Sequence, residues 1–471
     1  MIFKDWTSEK IFLLLAAIVG GLLIFLTPPM CTPDENTHFL NAYSISHGDV
    51  FPEVVDGQMG RYINKSVVDF VNGNNTRYMG NLNEKYNFSE FYLNSWLQDN
   101  NTETVFYSNG SLMGINPIGY IPASIGMLVG RLILRICGSG FDTAFNMLIF
   151  GRIFNLLFYI IIGYYAIKIA PYLKRSMLIL FLLPMSLFLG ASVSYDAILI
   201  PVCTLYFANT MKIIHSNQEK IIDKVDILIT VFCTFVMFGI KLAYAPLLLL
   251  LICIPKKKFV DQKKYFVCIG VVIVTAMAAY LLPKLLLNNA LHGYVLTENE
   301  RITLQREYLF SNLGSVPSLI GNTIVSNISF YVMGFFGILG QLDTNFPLPF
   351  MMIIIIIVTS VFLFEICSIK LINIPVRVVS LVCTLLILSG MFYQMYINWT
   401  PIVSDIGASV ITGVQGRYFL PMIFVGCIPL FNNVLGKRTL VFEDKKNLLS
   451  EIVVVTVTIA TPVLVLLRFW I

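Results

Sequence analysis

Apolar runs of membrane-crossing length recur along the whole chain, and they constrain it before any motif is read. A helix needs about 20 mostly apolar residues to cross about 30 Å of hydrocarbon. Ile11–Leu26, Phe350–Phe364 and Ile452–Leu467 meet that requirement or nearly so. Of 471 residues, 57% are hydrophobic and only 13% are charged, against about 25% charged in a soluble domain. No aqueous core absorbs so much apolar sequence. The expectation is an all-α polytopic membrane protein, residues 1–471 forming a single transmembrane domain.

Charge gives the topology. Spans are expected near 9–27, 145–167, 176–193, 197–214, 226–240, 242–254, 265–287, 348–366, 376–398, 418–435 and 450–468. Between them fall Lys4 and Lys10, Lys168 with Lys174 and Arg175, and Lys220 with Lys224. Further on come Lys256–Lys258, Lys370 with Arg377, and Lys437 with Arg438. One consistent arrangement puts all of them in the cytoplasm, with the N-terminus inside and the C-terminus outside. Two more apolar stretches, 117–137 and 316–336, would flip later basic segments if either crossed alone, so they read as half-inserted or surface-lying helices. The long extracytoplasmic segments are then 28–116, 288–347 and 398–417. Spans 226–240 and 242–254 are short, and at about 1.5 Å per residue cover barely 20 Å. They would meet in a recess with Lys241 and Tyr244 at its apex.

The net charge of +5 is modest and calls for no nucleic-acid partner. All nine cysteines except Cys31 lie within or beside apolar runs, with no disulfide or zinc spacing. Leu26-Thr27-Pro28-Pro29 offers no small-x-small cleavage site, so the first apolar run reads as an uncleaved helix.

Five polar constellations interrupt this background. Pro33-Asp34-Glu35 with His38 lies at the exit of the first span, which three prolines, Pro28, Pro29 and Pro33, rigidify. Ser194-Tyr195-Asp196 sits at an outer junction, where a carboxylate is costly unless paired or wet. Lys241 is flanked by two short apolar helices, and a buried cation wants an anion. Gly413–Pro421 contains Gln415, Arg417 and Tyr418, and its Arg breaks the inside-positive pattern. A guanidinium suits bidentate phosphate recognition, and glycines permit close backbone approach. The last, Gly334–Thr344, carries Gln341 and Asp343. Each also has a plainer reading. Asp34 and Glu35 offset a helix dipole, Asp196 caps a helix, Lys241 snorkels, Arg417 anchors at the interface, and the glycines pack helices. Together they put acids and isolated cations at one membrane face, as a site for an anionic, lipid-borne substrate would require. The aromatics and amides of 56–116, Trp96 among them, suit either carbohydrate or an ordinary polar loop.

The order of motifs also carries a resemblance. Pro33-Asp34-Glu35-x-x-His38, Asn116-Pro117 with Tyr120, and Gly151-Arg152-x-x-Asn155 come first. Ser194-Tyr195-Asp196, Lys241-x-x-Tyr244, Gly337-x-x-Gly340-Gln341-x-Asp343 and Gln415-Gly416-Arg417-Tyr418-x-x-Pro421 follow. This order resembles a widespread bacterial and archaeal family of predicted polytopic membrane proteins of unassigned function. That family in turn is similar to the GT-C class of membrane glycosyltransferases. The pattern leads to Trp after the second glycine, where this chain has Gln341.

The resemblance implies a GT-C-like bundle of about 11–13 transmembrane helices, with juxtamembrane helices in the first extracytoplasmic loop. It implies inverting transfer of a sugar from a polyprenyl-phosphate donor to an envelope glycan, lipid or protein, on the extracytoplasmic face of a bacterial plasma membrane. Carried over, Asp34 is catalytic base or metal ligand, with Glu35 and Asp196 beside it. Arg417 and Lys241 are candidates for the lipid phosphate, with His38, Tyr195, Tyr244, Gln341, Asp343, Gln415 and Tyr418 around the substrate. Oxygen ligands from Asp34, Glu35 and Asp196 favour Mg or Mn over zinc. The rival readings are a lipid-linked saccharide transporter and a non-catalytic membrane subunit of envelope glycan assembly.

Overall fold

A computed structural model describes residues 6–91, 103–108, 116–137, 143–216, 222–290, 299–369, 372–431 and 443–471. Trp96, Lys4, Lys220, Lys370, Lys437 and Arg438 lie outside these. The chain is an all-α polytopic membrane protein, and among the described residues nine helices are long and apolar enough to cross a bilayer.

Helix α1 (Ser8–Leu26) leads into α2 (Glu35–Ser46) and α3 (Lys65–Tyr78). Between and after these, β1 (Glu53–Val55), β2 (Gln58–Asn64) and β3 (Thr104–Ser108) form a small antiparallel sheet with Gly60 opposite Ser108. This sheet was not evident in a stretch that reads as polar loop. Then come α4 (Ile121–Ile136), α5 (Ala144–Ile169), α6 (Lys174–Leu182), α7 (Pro184–Gly190) and α8 (Asp196–His215). Pro184 removes an N–H inside the expected span 176–193 and splits it into α6 and α7. Helices α9 (Lys224–Ile240), α10 (Gln262–Ala290), α11 (Glu300–Ser311) and α12 (Val316–Phe336) follow. A short hairpin, β4 (Ile338–Leu339) and β5 (Thr344–Asn345), leads to α13 (Leu348–Ser368) and α14 (Ile374–Asn398). The chain ends with α15 (Thr400–Val403), α16 (Ile423–Cys427) and α17 (Glu443–Phe469).

Helix α8 lies at the centre, with 94% of its apolar window buried among α5, α7, α9 and the 3₁₀ segments. Helices α1 and α5 run antiparallel. Gly163 of α5 abuts Phe12, Gly20 abuts Leu156, and Arg152 reaches the carbonyls of Ile24 and Thr27 at the far end of α1.

Gly126, Met127 and Gly130 of α4 pack against Phe150, Gly151 and Phe154 in the first half of α5. Ser124 and Arg131 meanwhile bond to Ala42 and Ser46 of α2. So α4 packs against both α2 and the crossing helix α5. Its exposed stripe, Ile121, Ile125, Leu128, Leu132 and Ile136, is apolar, as contact with lipid requires. Helix α11, which precedes α12, is tied to the segment after α14 by Arg301, which donates to the carbonyls of Pro401 and Ser404. Helix α12 finishes with Gly337 against Pro184, half-way along α6–α7, and the β4–β5 hairpin climbs back to Met30. At 20 and 24 residues, the stretches that carry α4 and α12 are themselves long and apolar enough to cross a bilayer.

One expected dimension needs correction. Leu242–Cys253 winds as a 3₁₀ helix, not an α-helix. At about 2.0 Å per residue its length approaches 24 Å, so fewer residues reach across. Gly416–Met422 is wound the same way before α16 begins.

Candidate functional site

The site is built on two polar residues one turn apart in α5. Arg152, almost wholly buried, donates Nε to Glu35 Oε1 at 2.9 Å and Nη2 to Oε2 at 2.6 Å. Its remaining N–H groups reach the carbonyls of Ile24, Thr27 and Pro28 at 2.7–3.1 Å. Glu35 also accepts the Val193 N–H at 3.0 Å. Asn155 donates to the carbonyls of Ser192 and Ser194 at 2.9 and 3.2 Å. A buried charge pair is tolerable only when its other hydrogen-bonding capacity is met, and here it is. These bonds clamp the segment carrying Asp34 to the segment carrying Asp196.

Glu35 accordingly belongs to the scaffold. Sequence reasoning paired it with Asp34 as catalytic carboxylate and metal ligand, yet its side chain has no exposed surface and both oxygens are committed. Adjacent residues at a helix start point in different directions, and only Asp34 turns to the open side.

Asp34 precedes α2 with φ of 60°, the left-handed region that a non-glycine residue rarely takes. Its side chain is half-exposed, and its Oδ2 accepts Nη2 of Arg417. Arg417 is itself buried. Its Nη1 lies 3.5 Å from Asp196 Oδ2 and 3.4 Å from the Pro33 carbonyl, and its Nε donates to nothing. Burial pushes the Asp34 carboxyl up, but Arg417, with His38 and Lys241 further off, holds it below the ordinary carboxylate range. Lys241 stacks its ammonium over Tyr418, 3.7 Å from the ring centre. No carboxylate among the described residues pairs with it, and burial lowers it to about 8. Tyr244 donates to the Tyr418 carbonyl at 2.7 Å and so fixes the start of the last 3₁₀ turn.

On the other flank, His38 Nδ1 meets the Tyr120 hydroxyl at 2.9 Å, and Tyr195 sets its ring edge-on at 4.7 Å. Burial depresses the imidazole of His38, between the two tyrosines, below its usual value. Six of the anticipated residues thus meet in one cluster: Asp34, His38, Tyr195, Asp196, Lys241 and Arg417, with Tyr418 and Tyr244 behind.

The family described as "Predicted membrane protein (DUF2142)" matches residues 16–425 of this chain. The chain belongs to it. No curated protein and no solved structure matches. The match to DUF2142 spans every residue of the cluster, from Asp34 to Arg417, and stops before α17.

Three anticipated residues stand outside or at the edge of the cluster. Gln341 donates to the Met30 carbonyl at 2.5 Å and to Asn75 at 2.6 Å, bracing the first loop from behind. Asp343 takes the Gly80 N–H at 3.2 Å and lies 3.6 Å from Arg468, tying that loop to α17. Gln415 is next to the site through its backbone, while its side-chain oxygen is buried without a partner. Arg152, Asn155 and Tyr120 had been noticed only as parts of motifs. The signal that would have found them is an Arg and an Asn on one face of an apolar helix, which must hold something.

The carboxylates do not form a metal-binding set. Among the described residues no group of three or more His, Cys, Asp or Glu is placed to hold an ion. Arg152 occupies Glu35, and the Arg417 guanidinium reaches both Asp34 and Asp196. The expected Mg or Mn site at Asp34, Glu35 and Asp196 is not what these side chains build.

Beside the cluster opens an apolar cavity of about 430 Å³ between α12, α13, α14 and α16. Tyr331 and Phe419 line the end nearest Arg417, while Ile366 and Leu430 lie at the other end. Its walls are nearly all hydrocarbon, with Ile324 and Ile328 on the exposed α12 side.

Proposed function

We propose that this chain is a glycosyltransferase that moves a sugar from a polyprenyl-phosphate donor to an envelope glycan, lipid or protein acceptor. One observation carries the reading. A half-exposed carboxylate, Asp34, is held against the buried Arg417, and Lys241, which no carboxylate among the described residues pairs with, lies over Tyr418, while the next residue, Phe419, lines an apolar cavity. Anion-binding cations next to a hydrocarbon slot suit a lipid phosphate, and a carboxylate open to water suits proton transfer.

In the proposed reaction the acceptor hydroxyl oxygen bonds to the anomeric carbon as the bond from that carbon to the phosphate oxygen breaks. The hydroxyl proton passes to Asp34. The departing phosphate keeps the electron pair, and Arg417 and Lys241 offset its charge. Asp196, only slightly exposed, keeps Arg417 in place. The excess of Lys and Arg in the segments expected on the opposite face supports an extracytoplasmic position for the cluster by the positive-inside rule.

The test is direct. Purified protein in lipid should consume a polyprenyl-phosphate sugar, and Asp34→Asn should abolish transfer while melting as the unmodified protein does. Retained transfer by that variant removes Asp34 as the base. Movement of the intact donor across a bilayer without consumption would support the transporter reading in its place.

A further inference from the structure

Arg417 presents its hydrogen-bond donors unequally. Nε and Nη2 share the edge of a guanidinium that binds two oxygens of a phosphate side by side. On that edge Asp34 takes Nη2 alone, and Nε is buried with nothing to donate to. The remaining contacts are longer, 3.4 Å to the Pro33 carbonyl and 3.5 Å to Asp196.

The two acids also differ in what leaving would cost. Asp196 has 8% of its side chain exposed, whereas Asp34 has 51%. A carboxylate that gives up its arginine needs water to take its charge, and only Asp34 has it. An incoming phosphate has the opposite incentive, because it satisfies a donor that is now unused.

Resting on the donor reading above, we propose that Asp34 is the resident occupant of a phosphate site. The donor's phosphate and the Asp34 carboxylate compete for the Nε–Nη2 edge of Arg417, so that donor binding itself frees Asp34. In the empty site Arg417 neutralises Asp34. In the loaded site Arg417 serves the phosphate, and the freed carboxylate faces the acceptor side as a base. The arrangement couples activation of the base to the presence of the donor.

The competition makes an unusual demand: removing the base must tighten donor binding. The experiment measures binding of a short-chain polyprenyl phosphate, which cannot transfer anything, to the full chain in nanodiscs. Asp34→Asn should bind about tenfold more tightly than the unmodified protein. Asp69→Asn, which removes an exposed charge on α3, should bind unchanged. In an Arg417→Lys background, which lacks a two-donor edge, most of the Asp34→Asn gain should vanish. Asp34→Ala gives the same readout should the Asn variant not fold. Unchanged or weaker binding by the Asp34 variants, with measurable binding by the unmodified protein, overturns the competition and leaves the donor reading standing. Absence of binding in every variant overturns both.

Discussion

Charged residues at helix ends were the legible part of the site, because each one contradicts its surroundings. Asp34, Asp196, Lys241 and Arg417 stand out in apolar sequence, and the structure brings all four together. Glu35 was misassigned because proximity in sequence was taken for proximity in space. Its partner, Arg152, lies 117 residues away, and nothing short of the packing of α1 on α5 could join them. This correction has a consequence for stability. Glu35 and Arg152 are 0% and 1% exposed, so breaking the pair leaves a buried charge without compensation. Glu35→Gln should cost about 3–5 kcal/mol, seen as a large drop in melting temperature of the detergent-solubilised protein. It should also loosen the segment at Val193, whose N–H the carboxylate holds. Asp343→Asn, at a more open and longer contact, should cost much less. Equal melting of Glu35→Gln and the unmodified protein would return Glu35 to the list of reactive residues.

Elements were harder to read than residues, because hydropathy reports length and composition but not depth. Both α4 and α12 pass as crossing helices on those terms. The alternation of basic segments, not the apolar count, argues that neither crosses. The 3₁₀ winding of Leu242–Cys253 had no signal in the sequence beyond its shortness. Close packing of α12 was half-legible in its glycines. A Cβ on Gly416 would meet the Tyr331 carbonyl oxygen at 2.1 Å and the Phe335 nitrogen at 2.4 Å. Both are backbone atoms and cannot turn aside as a side-chain tip would. Through Gly416, α12 therefore sets the position of the next residue, Arg417. Gly416→Ala should displace α12 or Arg417 and reduce binding of a polyprenyl phosphate at least about tenfold. Gly270→Ala and Gly390→Ala, with open space around their Cβ positions, should leave binding unchanged. Full binding by Gly416→Ala would show that the crossing of α12 over this turn has no part in holding the guanidinium.

At the scale of the whole molecule, the expected eleven crossings would leave the two chain ends on opposite faces and the cluster on one of them. The decisive helix is α4, because a crossing there would invert α5 and everything after it until a second error restored the count. Cys137, exposed just after the last turn of α4, reports on that directly. If α4 lies on the surface beside α2, Cys137 is on the face that carries Asp34. If α4 crosses, Cys137 is on the face that carries Lys256. A chain with the other eight cysteines replaced isolates this thiol. Two reference positions, both exposed, calibrate the faces: Asp69→Cys on α3 and Lys256→Cys in the basic turn before α10. A membrane-impermeant maleimide applied to sealed, uniformly oriented vesicles should label Cys137 together with the Asp69 position and spare the Lys256 position, or spare the first two and label the third. Labelling of Cys137 in step with Lys256 would make α4 a true span. The expected outcome needs no knowledge of which face is cytoplasmic. It rests on the bonds from Ser124 and Arg131 of α4 to the carbonyls of Ala42 and Ser46, which hold α4 to the helix that begins beside Asp34.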